Sequence, residues 1–157
     1  MRKIGTVAAV LGLTALGLAV PAASAQATAQ GPGCMSKWPG RDGYVRAWDG
    51  YDCSGALLGA TQGNDPNWDD GVGPFANDLN VASSVMNSGT IGGKDVVAFY
   101  WNANYNSQSY GCLAPGEKYA DSLADNTYSG GSYSMDDSIA SHAWVTASAC
   151  APGTWIA

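Results

Sequence analysis

Hydrophobic and polar positions alternate with a period of two in short stretches of the chain. Tyr44-Val45-Arg46-Ala47-Trp48 and Asp95-Val96-Val97-Ala98-Phe99-Tyr100-Trp101 are the clearest, and each is bounded by clusters of Gly, Asn, Asp and Ser. A residue of a strand points to the opposite face from its neighbour, so this pattern predicts strands with one buried face. Ser83-Ser84-Val85-Met86 and Ala143-Trp144-Val145-Thr146 predict two more. No stretch of the mature region carries apolar residues at helical spacing. The texture is that of an all-β domain with long turns.

The one long apolar run lies elsewhere. Met1-Arg2-Lys3 is followed by apolar residues from Ile4 to Val20 and then by Pro21-Ala22-Ala23-Ser24-Ala25. A basic start, a run too short and too rich in Gly and Ala for a membrane span, and a small-x-small ending predict a secretory signal peptide over 1–25, cleaved after Ala25 or alternatively after Ala27. Residues 26–33 read as a small, polar, mobile lead, and residues 34–157 as a single domain, long enough to bury its own core.

The domain contains a faint duplication. Val45 to Gly55 carries an aromatic strand and a turn holding Tyr51, and the half closes on Asn80-Val81-Ala82-Ser83-Ser84-Val85; Ala98 to Ser107 carries a second aromatic strand and a turn holding Tyr105, and closes on Asp137-Ser138-Ile139-Ala140-Ser141-His142. The four cysteines, Cys34, Cys53, Cys112 and Cys150, make two disulfides the expectation for an exported chain. Three pairings exist; Cys34–Cys53 with Cys112–Cys150 keeps each bridge inside one half of the repeat.

An aromatic hairpin folded over and pinned by a serine at the start of the closing strand resembles the Greek-key motif of the βγ-crystallins, with Ser84 and Ser141 as the pinning serines and Gly55 as the turn glycine. The resemblance covers about residues 42–147 and implies a βγ-crystallin-like domain of two Greek keys. With a signal peptide and two disulfides, the chain is similar to the group of secreted peptidase inhibitors typified by the Streptomyces metalloproteinase inhibitor; killer-toxin-like proteins share the fold. The short disulfide-closed reactive loop of that inhibitor has no counterpart, because the nearest cysteines, Cys34 and Cys53, are far apart in sequence.

The resemblance also implies calcium. The family signature is two Asn/Asp residues, two variable ones, Ser or Thr, then Ser. Leu79-Asn80-Val81-Ala82-Ser83-Ser84 keeps Asn80 and Ser83 but has Leu79 at the first position, and Asp136-Asp137-Ser138-Ile139-Ala140-Ser141 keeps both aspartates but has Ala140 for the hydroxyl. Asn80, Ser83, Asp136 and Asp137 are therefore candidate ligands of two degenerate, weak sites. The alternative is that these residues cap turns. No cofactor is required; calcium is the one candidate.

Composition narrows the chemistry. Removal of residues 1–25 leaves five basic against thirteen acidic groups, a net charge of -8, which opposes nucleic acid and anionic membranes as partners. His142 is the single histidine and Glu117 the single glutamate. Adjacent acids such as Asp69-Asp70 and Asp136-Asp137 cannot flank a scissile bond, no Cys-x-x-Cys or His-Glu-x-x-His spacing is present, and His142 falls inside a strand. Catalysis is not expected. The segment from Gly63 to Phe75 holds two prolines and two aromatics; Trp68 and Phe75 either present a partner-binding loop or fold back onto the core. Tyr100, Trp101, Tyr105 and Tyr110, interleaved with Asn102, Asn104, Asn106 and Gln108, pose the same choice between hairpin packing and stacking on a sugar. The expected function is that of a secreted monomeric binding protein, an inhibitor of an extracellular peptidase; the alternatives are a calcium-binding structural or stress module and a cell-wall or carbohydrate binder.

Overall fold

The computed structural model describes residues 31–106, 108–131 and 133–157; the expected signal peptide and most of the lead lie outside them. Two four-stranded sheets face each other. The first has the order β2 (Leu57–Thr61), β1 (Val45–Trp48), β3 (Ser84–Asn87), β6 (Tyr119–Ala120), and the second β7 (Ser141–Val145), β4 (Val96–Tyr100), β5 (Tyr110–Leu113), β8 (Trp155–Ile156). All pairings are antiparallel except β5 with β8. The fold is all-β, as expected, with a helix α1 (Pro32–Lys37) added in front.

The helix corrects the expected boundary. Pro32 begins it, the Gly33 and Cys34 amides donate to the Asp52 carboxylate at 2.9 Å each, and the Gly31 amide donates to Asp121. Gly31 to Gly33 thus belong to the domain and not to a mobile lead. Proline at the first helical position and a carboxylate on the free amides are what stabilise so short a helix. The Cys34–Cys53 disulfide fastens it to the turn below, and Cys112–Cys150 ties β5 to the C-terminal segment; both pairings are those expected from the repeat.

The duplication is a pseudo-twofold. In each half the strand-crossing turn is a single tight helical turn with two successive residues in the left-handed region, Asp52-Cys53 in one and Asn104-Tyr105 in the other. Each turn is held by its serine: Ser84 Oγ donates to the Gly50 carbonyl at 2.6 Å and accepts the Cys53 amide, and Ser141 Oγ donates to the Asn102 carbonyl at 2.7 Å and accepts the Tyr105 amide. Both serines are fully buried. One hydroxyl satisfies a donor and an acceptor that the fold-over leaves without sheet partners. Gly55 stands in the left-handed region (φ +69°), and a Cβ there would lie 2.0 Å from Asp49 Oδ1, which is why the turn needs glycine.

Each half lends a strand to the other. β6, from the second half, pairs with β3 of the first, and Asp65, from the first half, bridges His142 in β7 of the second. The exchange takes place within one chain. Between the sheets lies one core that includes Val45, Val85, Val97, Phe99, Leu113 and Ile139, all buried.

Candidate functional site

The segment that lends Asp65 to the second sheet continues as the loop singled out in the sequence. Trp68 and Phe75 are fully buried and stacked, with ring centroids 4.3 Å apart. As partner-contact residues they are thus corrected: they fold back onto the core, where two large aromatics bury more apolar surface than any exposed loop position allows. Gly59 of β2 makes room for them, since a Cβ there would meet the Pro74 carbonyl at 2.3 Å and the Phe75 ring at 2.7 Å.

What the two anchors leave outside is the stretch from Asp69 to Pro74, exposed at every residue, with Val72 at 65 %. Hydrogen bonds close it from within: the Gly71 amide donates to the Ala76 carbonyl at 2.7 Å and the Asp78 amide to the Trp68 carbonyl at 2.7 Å. Gly71 and Gly73, both at positive φ, turn the chain on either side of Val72. The result is a short protruding loop on a fixed base.

His142 lies beneath that base. It is fully buried, its Nδ1 accepts the Trp68 indole N–H at 3.0 Å, and its Nε2 faces the Gly63 carbonyl at 3.2 Å and donates to it. Both ring nitrogens are therefore spent on holding the loop, and neither is free to act as a base. Burial pushes its pKa down to about 4, against a smaller upward effect of the Gly63 carbonyl, because the charged imidazolium would have to give up water without gaining a counter-ion.

The degenerate calcium loops meet across the pseudo-twofold. The Asn80 amide donates to the Ile139 carbonyl at 3.1 Å and the Asp137 amide to the Ala82 carbonyl at 3.0 Å, and Asn80 and Asp137 both adopt positive φ. In the second loop Asp136 Oδ2 accepts the Tyr51 hydroxyl at 2.6 Å while its Oδ1 is buried without a partner, and desolvation together with the neighbouring Asp136 charge holds the Asp137 pKa up. In the first loop Leu79 supplies no side-chain oxygen, Asn80 is exposed, and Ser83 is buried with its carbonyl accepting the Leu123 amide. Among the described residues no three carboxylate, histidine or cysteine groups converge at metal-binding spacing.

The second-half aromatics pack among themselves. Tyr100 meets the rings of Tyr105 and Tyr110 at 5.8 and 5.9 Å, and Trp101 meets Tyr128 and Tyr133 at 5.5 and 4.6 Å. All four expected members of the cluster are half-buried hairpin residues. A polar cleft of about 610 Å³ is lined by residues that include Asp42, Gln62, Asn64, Lys94 and Trp144.

Two residues were missed by sequence reasoning. The structural task of His142 required knowing which indole faces it. Asp65 is 4 % exposed, and its Oδ1 accepts the Asn67 amide at 3.1 Å; in the sequence it is one aspartate of an acidic loop.

No family model matches the chain, and no curated protein matches it. Among solved structures it is similar to a βγ-crystallin from an archaeon, with 22 % identity over 65 % of this chain and 96 % of that one, at a TM-score of 0.44.

Proposed function

We propose that the protein is an exported, monomeric, protein-binding module without catalytic activity, an inhibitor of an extracellular peptidase, and that Asp69 to Pro74 is its contact loop. The observation that carries this reading is the rigid base of that loop: Trp68 and Phe75 are stacked in the core directly before and after it. A loop already held in one conformation loses little entropy on binding, and one that cannot relax after cleavage is a poor substrate. The exposed, β-branched Val72 between two glycines is suited to an apolar specificity pocket. Export is supported by the expected signal peptide and by two disulfides; among the described residues no helix is long and apolar enough to cross a membrane.

The test is a titration of a thermolysin-type and a subtilisin-type peptidase with the chain from Gln26 onward. One class is expected to lose activity at near-equimolar ratio. Val72→Asp places a charge that has to be desolvated in the pocket and should weaken inhibition by about 100-fold with an unchanged melting temperature. Equal inhibition by wild type and variant moves the contact elsewhere, and no inhibition of either class at large excess removes the reading.

The unpartnered Asp136 Oδ1 favours a second reading, weak calcium binding at the second paired loop by Asp136 and Asp137. Calcium there would neutralise adjacent carboxylates and stiffen the contact between the halves. At a concentration about ten times a Kd of about 10⁻³ M the gain is about 1.4 kcal/mol, a rise of a few degrees in melting temperature. The rise should vanish with chelator and in Asp136→Asn/Asp137→Asn; a wild-type melt indifferent to calcium ends this reading.

A further inference from the structure

Trp144 is left open where its counterpart is closed. The pseudo-twofold relates the pinning serines, Ser84 and Ser141, and so relates Asn87 at the far end of β3 to Trp144 in β7; the strand pairings agree, with Val45 opposite Asn87 and Val97 opposite Trp144. Asn87 is fully buried and fully used: its Nδ2 donates to the Asp95 and Leu113 carbonyls at 2.8 and 2.9 Å, and its Oδ1 accepts the Gly89 amide at 2.9 Å. Trp144 is 9 % exposed, and its indole Nε1 is buried with no hydrogen-bond partner. A buried donor left unpaired costs free energy, and nearly all such groups in folded chains find a partner.

The fold supplies none, but Trp144 lines the polar cleft of about 610 Å³. That cleft lies where the two halves are joined. Asp42 and Gly43 ahead of β1, Gln62 to Asn64 after β2, and residues of the connection between β3 and β4 surround Trp144. Gly89 in that connection gives the ring its place, since a Cβ there would come within 2.5 Å of Trp144 Cζ3. The volume is in the range of small-molecule sites, but those are mostly apolar. Here Trp144 is the single apolar side chain of the wall, among glycine backbone, amides, a hydroxyl and charged groups. Such a wall suits a ligand that is polar on every side, as a saccharide is.

The lining has donors to spare. Asp42 is ion-paired with Arg46 and accepts the Tyr44 amide, so its charge is answered. Asn64 Oδ1 is taken by the Trp144 amide at 2.8 Å, which leaves the Asn64 NH₂ group; Gln62 Nε2 gives one hydrogen to the Asp42 carbonyl at 3.0 Å and keeps the other. Lys94 is exposed and makes no ion pair among the described residues. Together with the Thr90 hydroxyl and the indole N–H, the unspent groups are mainly donors, and one of them carries uncompensated positive charge. Their complement is rich in acceptors and negatively charged. The chain is acidic overall and draws no anion in from a distance, so the cleft's own groups must hold it.

We propose that the cleft binds a uronic-acid unit of an acidic saccharide, its carboxylate on Lys94 and Asn64 and its hydroxyls on Gln62, Thr90 and the Trp144 indole. The site goes beyond the inhibitory reading, since the Asp69–Pro74 loop contributes no residue to the wall, and it is apart from the aromatic hairpin of Tyr100, Tyr105 and Tyr110.

Trigalacturonate, an oligomannuronate and the methyl ester of the first are the probes. In the isotope-labelled mature chain the Trp144 indole N–H resonance, identified by its absence from Trp144→Phe, is expected to shift saturably with both uronates. Lys94→Gln should weaken uronate binding by about tenfold, the effect of one charge-assisted hydrogen bond, and leave binding of the methyl ester unchanged. Gly63→Leu adds bulk at the wall without a clash, a Cβ there meeting only Thr61 Oγ1 at 3.6 Å; it should weaken binding by more than about tenfold with an unchanged melting temperature in the absence of saccharide. No shift with either uronate, equal affinity for trigalacturonate and its methyl ester, equal binding by wild type and both variants, shifts confined to the hairpin tyrosines, or displacement by acetate at the same concentration would each overturn the proposal. No peptidase enters these readouts, so failure here and failure of the inhibitory reading are told apart.

Discussion

Trp68→Ala is expected to cost about 4 to 5 kcal/mol, at the upper end of what removal of a buried aromatic brings, out of a total stability of about 5 to 15 kcal/mol for a domain of ordinary size. Three losses combine. The indole is fully buried and its removal leaves a large cavity; Phe75 loses the ring stacked on it at 4.3 Å; and His142 Nδ1 is left in the core without a donor. The last two are not independent of the first, so the sum is kept below their separate values. Urea unfolding of wild type, Trp68→Ala and Trp68→Phe separates them. Phenylalanine keeps most of the packing and loses the N–H, and should cost about 1 to 3 kcal/mol, the penalty of one buried acceptor left unpaired. A loss under about 1 kcal/mol for alanine would show that the loop is a satellite of the core and not its support, and would remove the rigid base on which the inhibitory reading rests.

The strands that sequence reasoning found are those whose own residues are apolar and aromatic or β-branched enough to mark them locally. Tyr44–Trp48, Ser83–Met86, Asp95–Trp101 and Ala143–Thr146 correspond within one or two residues to β1, β3, β4 and β7, three central strands and the edge strand β7, all largely buried. The others carried no such signal. β6 and β8 are two residues each, β5 contains Gly111, and in β2 Leu57 is 52 % exposed while Gly59 is buried, the reverse of what alternation expects. These strands exist because neighbours already in place offer them hydrogen-bond partners, and tertiary context of that kind leaves no local trace. The six-residue helix is of the same sort. It depends on Asp52 and the Cys34–Cys53 bridge, both far from it in sequence.

At the candidate sites the split is different. Ser84 and Ser141 were legible because the chain contains the pin twice, and a repeated residue at a repeated place constrains its role. Trp68 and Phe75 were ambiguous in principle: a loop that presents aromatics and one that swallows them have the same composition, and what decides between them is the gap opposite, which Gly59 and His142 create from distant parts of the chain. Asp65 was passed over because one aspartate in an acidic loop looks solvated. Only its bridge to His142 in a buried strand sets it apart.

The burial of His142 makes acid the second large test. Its folded pKa of about 4 lies below its ordinary value of 6.5, so between these limits the unfolded chain binds a proton that the folded one refuses, and stability must fall as pH falls. The slope is about 1.4 kcal/mol per pH unit, giving a loss of about 2 kcal/mol from pH 6.5 to 5 and about 3 kcal/mol by pH 4. Asp65, Asp78 and Asp137 act in the other direction. Their pKa values are raised by desolvation in the folded state, so they return stability as pH falls toward their titration. Asp42, whose pKa is lowered through its bonds to Arg46 and the Tyr44 amide despite an opposing burial effect, adds to the loss only at the acid end. The descent from pH 6.5 to 5 therefore belongs to His142, with Asp65, its strand partner, the carboxyl placed to blunt it. Denaturant unfolding at pH 7 and pH 5 should show that descent in wild type and a flat profile in His142→Gln, which keeps an acceptor for the Trp68 indole but takes up no proton. Equal stability of the wild type at the two pH values would mean that the imidazole charges in place, and that the base of the Asp69–Pro74 loop is open enough to hydrate it.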